Sequence, residues 1–338
     1  MTLSEGDLNT LTEDLRQARI RYSKNVSMKL YSYFRTGGVA KIIIFPDSEF
    51  ELALTLTLLK RKGVHFKVIG RTTNLLFLDD ADYSAIVSTS RLHQIRHDSG
   101  AGKVYAEAGV DIADLARFFL SVGSSGFEGL EGIPGSLGGA VFMNASAYGS
   151  SLSTTLESVR VWDEETGFSL LTLPDLKLGY RKSVFHEADN KKVIIGAHFG
   201  LAPGDTDEIY RKMSLFHNKR HKYQEFMYPT LGSLFAGSVY RELAKFSLLY
   251  YMVSAAYYFF NYRFKIFRRE SPDDRRWLNS FTEKVFDLRF PVAPYSAKDM
   301  NTLINNGQHT DVYIAYIEKM KELTKGKLKL ENEIVGNF

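Results

Sequence analysis

The chain has 338 residues, 44% of them apolar and 24% charged, with a formal net charge of +4 and no cysteine. That length supports two or three domains around sizeable cores, and the near-balance of charge excludes the diffuse basic field of a nucleic-acid binder. The lack of cysteine excludes disulfides, thiolate metal sites and cysteine nucleophiles.

The start, Met1–Asp7, is polar and acidic without the apolar stretch of a signal peptide, so a cytoplasmic location is expected. Residues 4–22 read as a polar helix, with Ser4 or Asp7 as its cap and Leu8, Leu11 and Leu15 on one face. Lys41–Pro46 is a short apolar run closed by proline, a predicted strand. Residues 47–63 carry Leu52, Leu56 and Leu59 at i, i+4, i+7 and stop at Gly63, which predicts a helix. Strands follow at Val64–Ile69, leading into Gly70-Arg71-Thr72-Thr73-Asn74, and at Ala85–Thr89. Lys103–Ala108 alternates as a strand, Ile112–Leu120 reads as a helix, and strands return at 157–163 and 193–201. Gly204-Asp205 opens a helix to about residue 219. Residues 270–290 read as charged loop, and Asp311–Leu323 as an amphipathic helix with Ile314, Ile317 and Met320 on one face. The alternation predicts an α/β or α+β fold with mixed sheets.

Residues 130–149 hold five glycines in twenty. Glycine loses more backbone entropy on folding than any other residue, so such density marks main chain that must turn sharply or lie against a ligand. Gly135, Gly138 and Gly139 surround Ser136 with amides suited to phosphate oxygens. A tight loop between packed elements is the other reading. No Gly-Lys-Ser/Thr follows, and the spacing is not that of a dinucleotide fingerprint.

The segment 243–269 stands apart. Phe246–Tyr262 is seventeen residues without a charge, eight of them aromatic, followed by Arg263, Lys265, Arg268 and Arg269. Its length is at the lower edge for a membrane span, and tyrosine favours interfaces over the bilayer centre. A buried or partner-packed helix is the leading reading, with self-association or contact with a membrane surface as its expected use. The eight histidines form no metal-ligand cluster; His217 and His221, at i, i+4, lack an acidic third ligand nearby in sequence, and no metal is expected.

Six stretches in order resemble one family, the UDP-N-acetylenolpyruvoylglucosamine reductases. Tyr33-Phe34-Arg35-Thr36-Gly37-Gly38 is similar to its Thr-Phe-Arg-x-Gly-Gly, and Gly70-Arg71-Thr72-Thr73-Asn74-Leu75-Leu76 to its G-x-G-S-N-L-L. Gly126 to Gly149 resembles G-L-E-x-x-x-G-I-P-G-T-V-G-G-A…N-x-x-A-Y-G. Leu178-Gly179-Tyr180-Arg181-Lys182-Ser183-Val184-Phe185 is similar to F-G-Y-R-x-S-x-F, Pro229 to Phe235 to P-S-x-G-S-x-F, and Leu330 to Gly336 to L-E-x-E-V…G. Each stretch is weak alone; the ordered set is specific.

The resemblance implies an α+β fold: a two-subdomain FAD-binding region of the vanillyl-alcohol-oxidase type, followed by a smaller substrate domain. On that basis residues 1–30 are an N-terminal helix and lead-in. Residues 31–202 are the FAD-binding domain, with its subdomain break near 80–90. Residues 203–338 bind substrate and carry an aromatic insertion at 243–290. The implied cofactor is FAD and the implied hydride donor NADPH. The implied partner is a nucleotide-sugar substrate, in peptidoglycan precursor synthesis. Two walls would hold the FAD pyrophosphate: Gly70, Arg71, Thr72, Thr73 and Asn74 on one side, and Gly132, Ile133, Pro134, Gly135, Ser136, Gly138 and Gly139 with Asn144, Tyr148 and Gly149 on the other. Thr72 stands where the family has glycine, at a cost in backbone freedom.

By the same resemblance Arg181 would hold the carboxylate on which charge develops, since a guanidinium stays protonated and binds carboxylates by two parallel bonds. Ser233 would deliver the proton and Glu333 would stabilise the enol form. Arg220 would face the substrate phosphates, with Tyr180 and Lys298 as weaker substrate-side candidates. Local chemistry alone reads these residues more plainly. Arg181 is then a turn residue paired with a carboxylate, Ser233 a loop or cap serine, and Glu333 with Glu331 the solvated acidic edge of a strand.

The likeness breaks after Phe235, where Ala236-Gly237-Ser238 replace the family's lysine and asparagine, and Tyr295 to Asn301 only partly keeps S-x-K-H-A-N. Two other readings therefore stay open: a paralogous FAD-dependent oxidoreductase on another nucleotide sugar, or a flavin-binding protein without the original activity.

Overall fold

The computed structural model describes residues 3–263 and 275–338. Ser4 caps the first helix, Glu5–Gln17, by accepting from the Asp7 amide, and Leu11 and Leu15 are fully buried. The helix ends earlier than the expected residue 22. Arg19 takes a left-handed φ of 58°, the Ile20 amide closes onto the Leu15 carbonyl at 2.9 Å, and Arg21–Ser27 continues as a strand. This is the usual helix stop with arginine where glycine is commoner.

Arg21–Ser27 is the edge of a four-stranded sheet, followed by Val39–Phe45, Asp82–Ser88 and Phe66–Ile69; the first pair is antiparallel and the others parallel. Ile42, Ile43 and Ile44, like Ala85, Ile86 and Val87, are fully buried, so the central strands are covered on both faces. The first helix and Glu49–Arg61 pack on one face through Leu11, Leu15, Leu52 and Leu56. Met28, Phe77, Tyr83 and Val335 fill the other.

A second, antiparallel sheet runs in the order Gly167–Thr172, Leu156–Asp163, Val193–Gly200, Lys103–Glu107, Ile95–Asp98. Its core includes Phe119, Phe127 and Phe199, with the first two rings stacked at 4.1 Å. The helix Thr206–Tyr223, capped by Asp205, buries Ile209 and Met213 in this same core.

The third core gathers Tyr240, Tyr250, Tyr313 and Tyr316 with Phe235 and Leu278, beside a two-stranded ribbon of Thr230–Ser233 and Thr302–Ile304. The stretch 270–290, expected as loop, contains the helix Arg276–Phe286. Burial of Leu278 and a Tyr250–Thr282 hydroxyl bond of 2.8 Å outweigh its charged composition. The aromatic segment is divided: Val239–Ala244 and Leu248–Tyr258 are α-helical, and Phe259–Arg263 is a wider turn. Lys265, Arg268 and Arg269 lie outside the described residues. Among the described residues no helix is long and apolar enough to cross a membrane. Finally the chain returns to the first lobe, where Glu333–Val335 pairs in parallel with Leu75–Phe77.

Candidate active site

The two glycine-bearing turns meet. An ideal Cβ on Gly70 would stand 2.0 Å from Ser136 Oγ, and one on Gly135 3.3 Å from the Thr73 hydroxyl, so only bare main chain permits this approach. Gly132 and Gly135 both hold positive φ, 76° and 155°. Among the described residues no main-chain carbonyl accepts from the Ser136 or Gly139 amide. The Gly138 amide, expected to be bare, is not: it donates to the Ala108 carbonyl at 2.7 Å and knits the turn to the second lobe. Asn144 is left-handed, its Nδ2 donates to the Gly179 carbonyl at 2.9 Å, and its buried Oδ1 has no protein partner. Tyr148 and Gly149 are left-handed as well. Free amides, a side-chain carbonyl without a partner and turns that exclude Cβ atoms fit a pyrophosphate-bearing cofactor.

On the facing turn Thr72 takes a φ of 58°, which a β-branched residue rarely adopts, and its hydroxyl accepts from the Tyr33 amide at 2.8 Å. That bond ties the turn to the Tyr33–Gly38 stretch and offsets the strain. Arg71 pairs with Asp111 across the junction of the first two lobes. Asn74 faces the C-terminal segment: its Nδ2 donates to the Glu331 carbonyl at 3.0 Å, and its Oδ1 accepts from Asn332 at 2.7 Å.

Three of the expected residues, Asn74, Tyr180 and Arg181, meet at Glu331. The Tyr180 hydroxyl donates to Glu331 Oε1 at 3.1 Å, and Arg181 Nε stands 3.9 Å from Oε2. Partial desolvation, then the Glu331 carboxylate, raises the Tyr180 phenol above its ordinary pKa. The Glu331 amide donates to the carbonyl of Leu234, the residue after Ser233. Ser233 itself is exposed and follows Gly232, whose φ is 71°. Glu333 is not brought to this point. It is exposed and pairs with Lys67, so Glu331 and Glu333 do not share one edge; the strand begins only at Glu333.

Arg220 is 4% exposed. Its Nη2 donates to the Gly129 carbonyl at 2.9 Å, its guanidinium lies 5.1 Å from the Tyr148 ring, and burial lowers its pKa. Its Cδ and Nε would stand 3.2 Å from a Cβ on Gly132, so it backs the glycine turn, and its buried Nε has no protein partner. Lys298 Nζ donates to the Gln224 carbonyl at 2.6 Å. His217 does meet a carboxylate, Glu131 at 3.1 Å, which its place in the sequence hides. Among the described residues three ligating side chains gather only at Asp80, His309 and Asp311, all exposed.

Sequence reasoning passed over Asn301 and Asn332. Asn301 is 6% exposed; it accepts from the Phe235 amide at 2.8 Å and donates to the carbonyls of Phe235 and Gly237, clamping the loop that lost the lysine and asparagine. Asn332 bridges Asn74 and the Leu231 carbonyl. The only signal in the sequence was an asparagine inside each motif stretch; that both are nearly buried, and so must find partners, is decided by the fold.

Residues 40–168 match the family model of an FAD binding domain. Over 222 residues the chain is 35% identical to the UDP-N-acetylenolpyruvoylglucosamine reductase of Lactobacillus johnsonii, covering 66% of this chain and 73% of that one. It is 36% identical over 212 residues to the enzyme of the same name from Carboxydothermus hydrogenoformans, covering 63% and 69%. The crystal structure of UDP-N-acetylenolpyruvylglucosamine reductase from Thermus caldophilus superposes with a TM-score of 0.67 at 23% identity, over 93% of this chain and 99% of that one. The α+β architecture of two flavin-binding lobes and a third lobe is therefore shared as well as the sequence. The glycine walls, the Tyr180-Arg181 turn and the Ser233 loop thus stand in a known order and a known frame: the chain belongs to the UDP-N-acetylenolpyruvoylglucosamine reductase family.

Proposed function

We propose that this protein reduces UDP-N-acetylenolpyruvoylglucosamine to UDP-N-acetylmuramate with NADPH in the cytoplasm, as a step of peptidoglycan precursor synthesis. The observation that carries the reading is the convergence of the Gly70–Asn74 turn, the Tyr180-Arg181 turn and the Ser233 loop on Glu331. FAD, when bound between the glycine walls, supplies two-electron hydride chemistry. Gly70, Thr73, Gly135, Ser136 and Gly139 would hold its pyrophosphate.

Arg181 receives the substrate carboxylate. Charge that spreads onto that carboxylate as the double bond is reduced then meets a fixed cation in a partly desolvated site. The Ser233 hydroxyl delivers a proton to the carbon next to the carboxylate and is recharged from solvent, to which it is open. Glu333 takes its expected part at the enol only by giving up Lys67. Arg220 supports the Gly132 turn from behind, and Lys298 and Tyr180 line the substrate side. Anaerobic bleaching of the flavin by NADPH, followed by its recolouring with the enolpyruvyl sugar, tests the proposal. A flavin that bleaches and is recoloured only by other acceptors would favour the paralogue reading.

We also propose that the aromatic segment meets a second copy of the chain. Only Tyr250 and Ser254 of the helix Leu248–Tyr258 are buried, while Leu248 is 74%, Leu249 57% and Met252 55% exposed. With Phe246, Tyr251, Ala255 and Ala256 they form an apolar stripe at helical spacing without a charge. At roughly 100 Å² for each of the five large side chains the stripe offers about 500 Å² per copy, or about 1,000 Å² for a pair, the lower end for a specific interface. Light scattering is expected to report a dimer that Leu248→Lys with Met252→Glu makes monomeric. A wild-type monomer, or one that floats with anionic vesicles, would sink this reading.

A further inference from the structure

We infer that Glu331 is the positioning residue of this site, holding Arg181 and Tyr180 against the Ser233 loop. The inference rests on Arg181 being the residue that receives the substrate carboxylate. Arg181 occupies a left-handed conformation with a φ of 49°, which costs a non-glycine residue about 1–2 kcal/mol and must be imposed by its surroundings. What surrounds the guanidinium is sparse. Nη2 reaches the Ser146 carbonyl at 3.4 Å, and the Tyr180 ring is 5.9 Å away. The Glu331 carboxylate, facing Nε, and the Tyr180 hydroxyl, which itself donates to Glu331, are the remaining contacts.

Glu331 is itself well anchored. Its side chain is 11% exposed, and Oε1 is held by the Tyr180 hydroxyl at 3.1 Å. Its amide is fixed to Leu234 and its carbonyl to Asn74, so the carboxylate is tied to both other segments of the site. Facing the Nε edge, it leaves the rest of the fork for a second carboxylate. Glu331 therefore has two opposed effects on an anionic substrate. It orients the guanidinium that binds the carboxylate, and it adds like charge beside it.

Those opposed effects give a signature that a merely structural residue lacks. Glu331→Gln keeps an acceptor for Tyr180 and removes the charge. It is expected to slow recolouring of the reduced flavin by substrate about tenfold, because a loosened Arg181 leaves the substrate misplaced. Bleaching by NADPH and the melting temperature stay at wild-type values. In calorimetry UDP-N-acetylmuramate, which has the carboxylate, is expected to bind roughly threefold more tightly, and UDP-N-acetylglucosamine, which lacks it, unchanged. Tyr180→Phe keeps the charge but frees the carboxylate, so it should slow recolouring without tightening either ligand. A Glu331→Gln protein with wild-type recolouring and binding overturns the inference alone. So does one that loses both half-reactions together with thermal stability. A wild-type protein that no enolpyruvyl sugar reoxidises overturns the functional reading and this inference with it.

Discussion

Gly70→Ala probes the contact on which the cofactor reading depends. The new Cβ would stand 2.0 Å from Ser136 Oγ and 3.1 Å from Ser136 Cβ. Rotating the hydroxyl relieves the first contact; the second requires main chain to move. That main chain is pinned, because the Gly135 carbonyl accepts from Ile112 at 3.0 Å and the Leu137 amide donates to Val110 at 2.8 Å. Overpacking of this kind costs about 1–3 kcal/mol. If the strain falls on the geometry that holds FAD, the dissociation constant rises roughly 5- to 150-fold. Titration of apoprotein with FAD, followed by flavin fluorescence, reads the change, and melting of the apoprotein reports what falls on the fold. Ser136→Gly in the same chain removes Oγ and Cβ together, so the double variant is expected to regain part of the affinity. A Gly70→Ala protein that binds FAD as tightly as wild type would refute the meeting of the two turns as the cofactor wall.

Ser233→Ala is expected to leave bleaching by NADPH unchanged and to slow recolouring by substrate about 10²–10⁴-fold, the usual loss for a positioned proton donor; stopped-flow traces that slow equally in both phases would make Ser233 structural. At Thr72 two terms compete. Thr72→Ala keeps the left-handed strain of about 1–2 kcal/mol and loses the bond to Tyr33, whereas Thr72→Gly loses only the bond. Alanine should therefore melt lower than glycine in calorimetric scans, and the reverse order would show that the left-handed backbone at residue 72 carries no strain. Burial pushes the phenols of Tyr105, Tyr250 and Tyr313 up to about 12 from 10.0. A raised pKa gives stability that is present below the unfolded value and lost as pH climbs through the folded one. The melting temperature should fall between about pH 10 and 12 while tyrosinate absorbance rises in step with unfolding, and stability that stays level across that window would contradict the burial of these rings.

Much of this protein is local, and local features could be read from the sequence. Ser4 and Asp205, both expected at helix starts, cap their helices because a short side-chain oxygen accepts amides two or three residues on. The stripe Leu52, Leu56, Leu59 falls on one helical face whatever it packs against. The glycine density at 130–149 announced close main-chain approach, and six motifs in order announced the family. Their order along the chain, however, carried no distances.

Only the folded chain decided which acid meets Arg181. Glu331 and Glu333 are two residues apart, and they part company because pairing with Leu75–Phe77 begins at Glu333, a contact spanning more than 250 residues. The fate of Arg220 is set the same way. Its helix packs on the second lobe, which buries the guanidinium beneath Gly129 and Tyr148 and away from solvent. Composition misled at Arg276–Phe286 because burial of Leu278 and Thr282 against Tyr250 rewards helix where charge alone suggests loop. Caps and periodicities act over a turn or two of chain and are written in neighbouring residues. Side-chain partners are chosen by strand registers and lobe packing that bring distant segments together, and these exist only once the chain has folded.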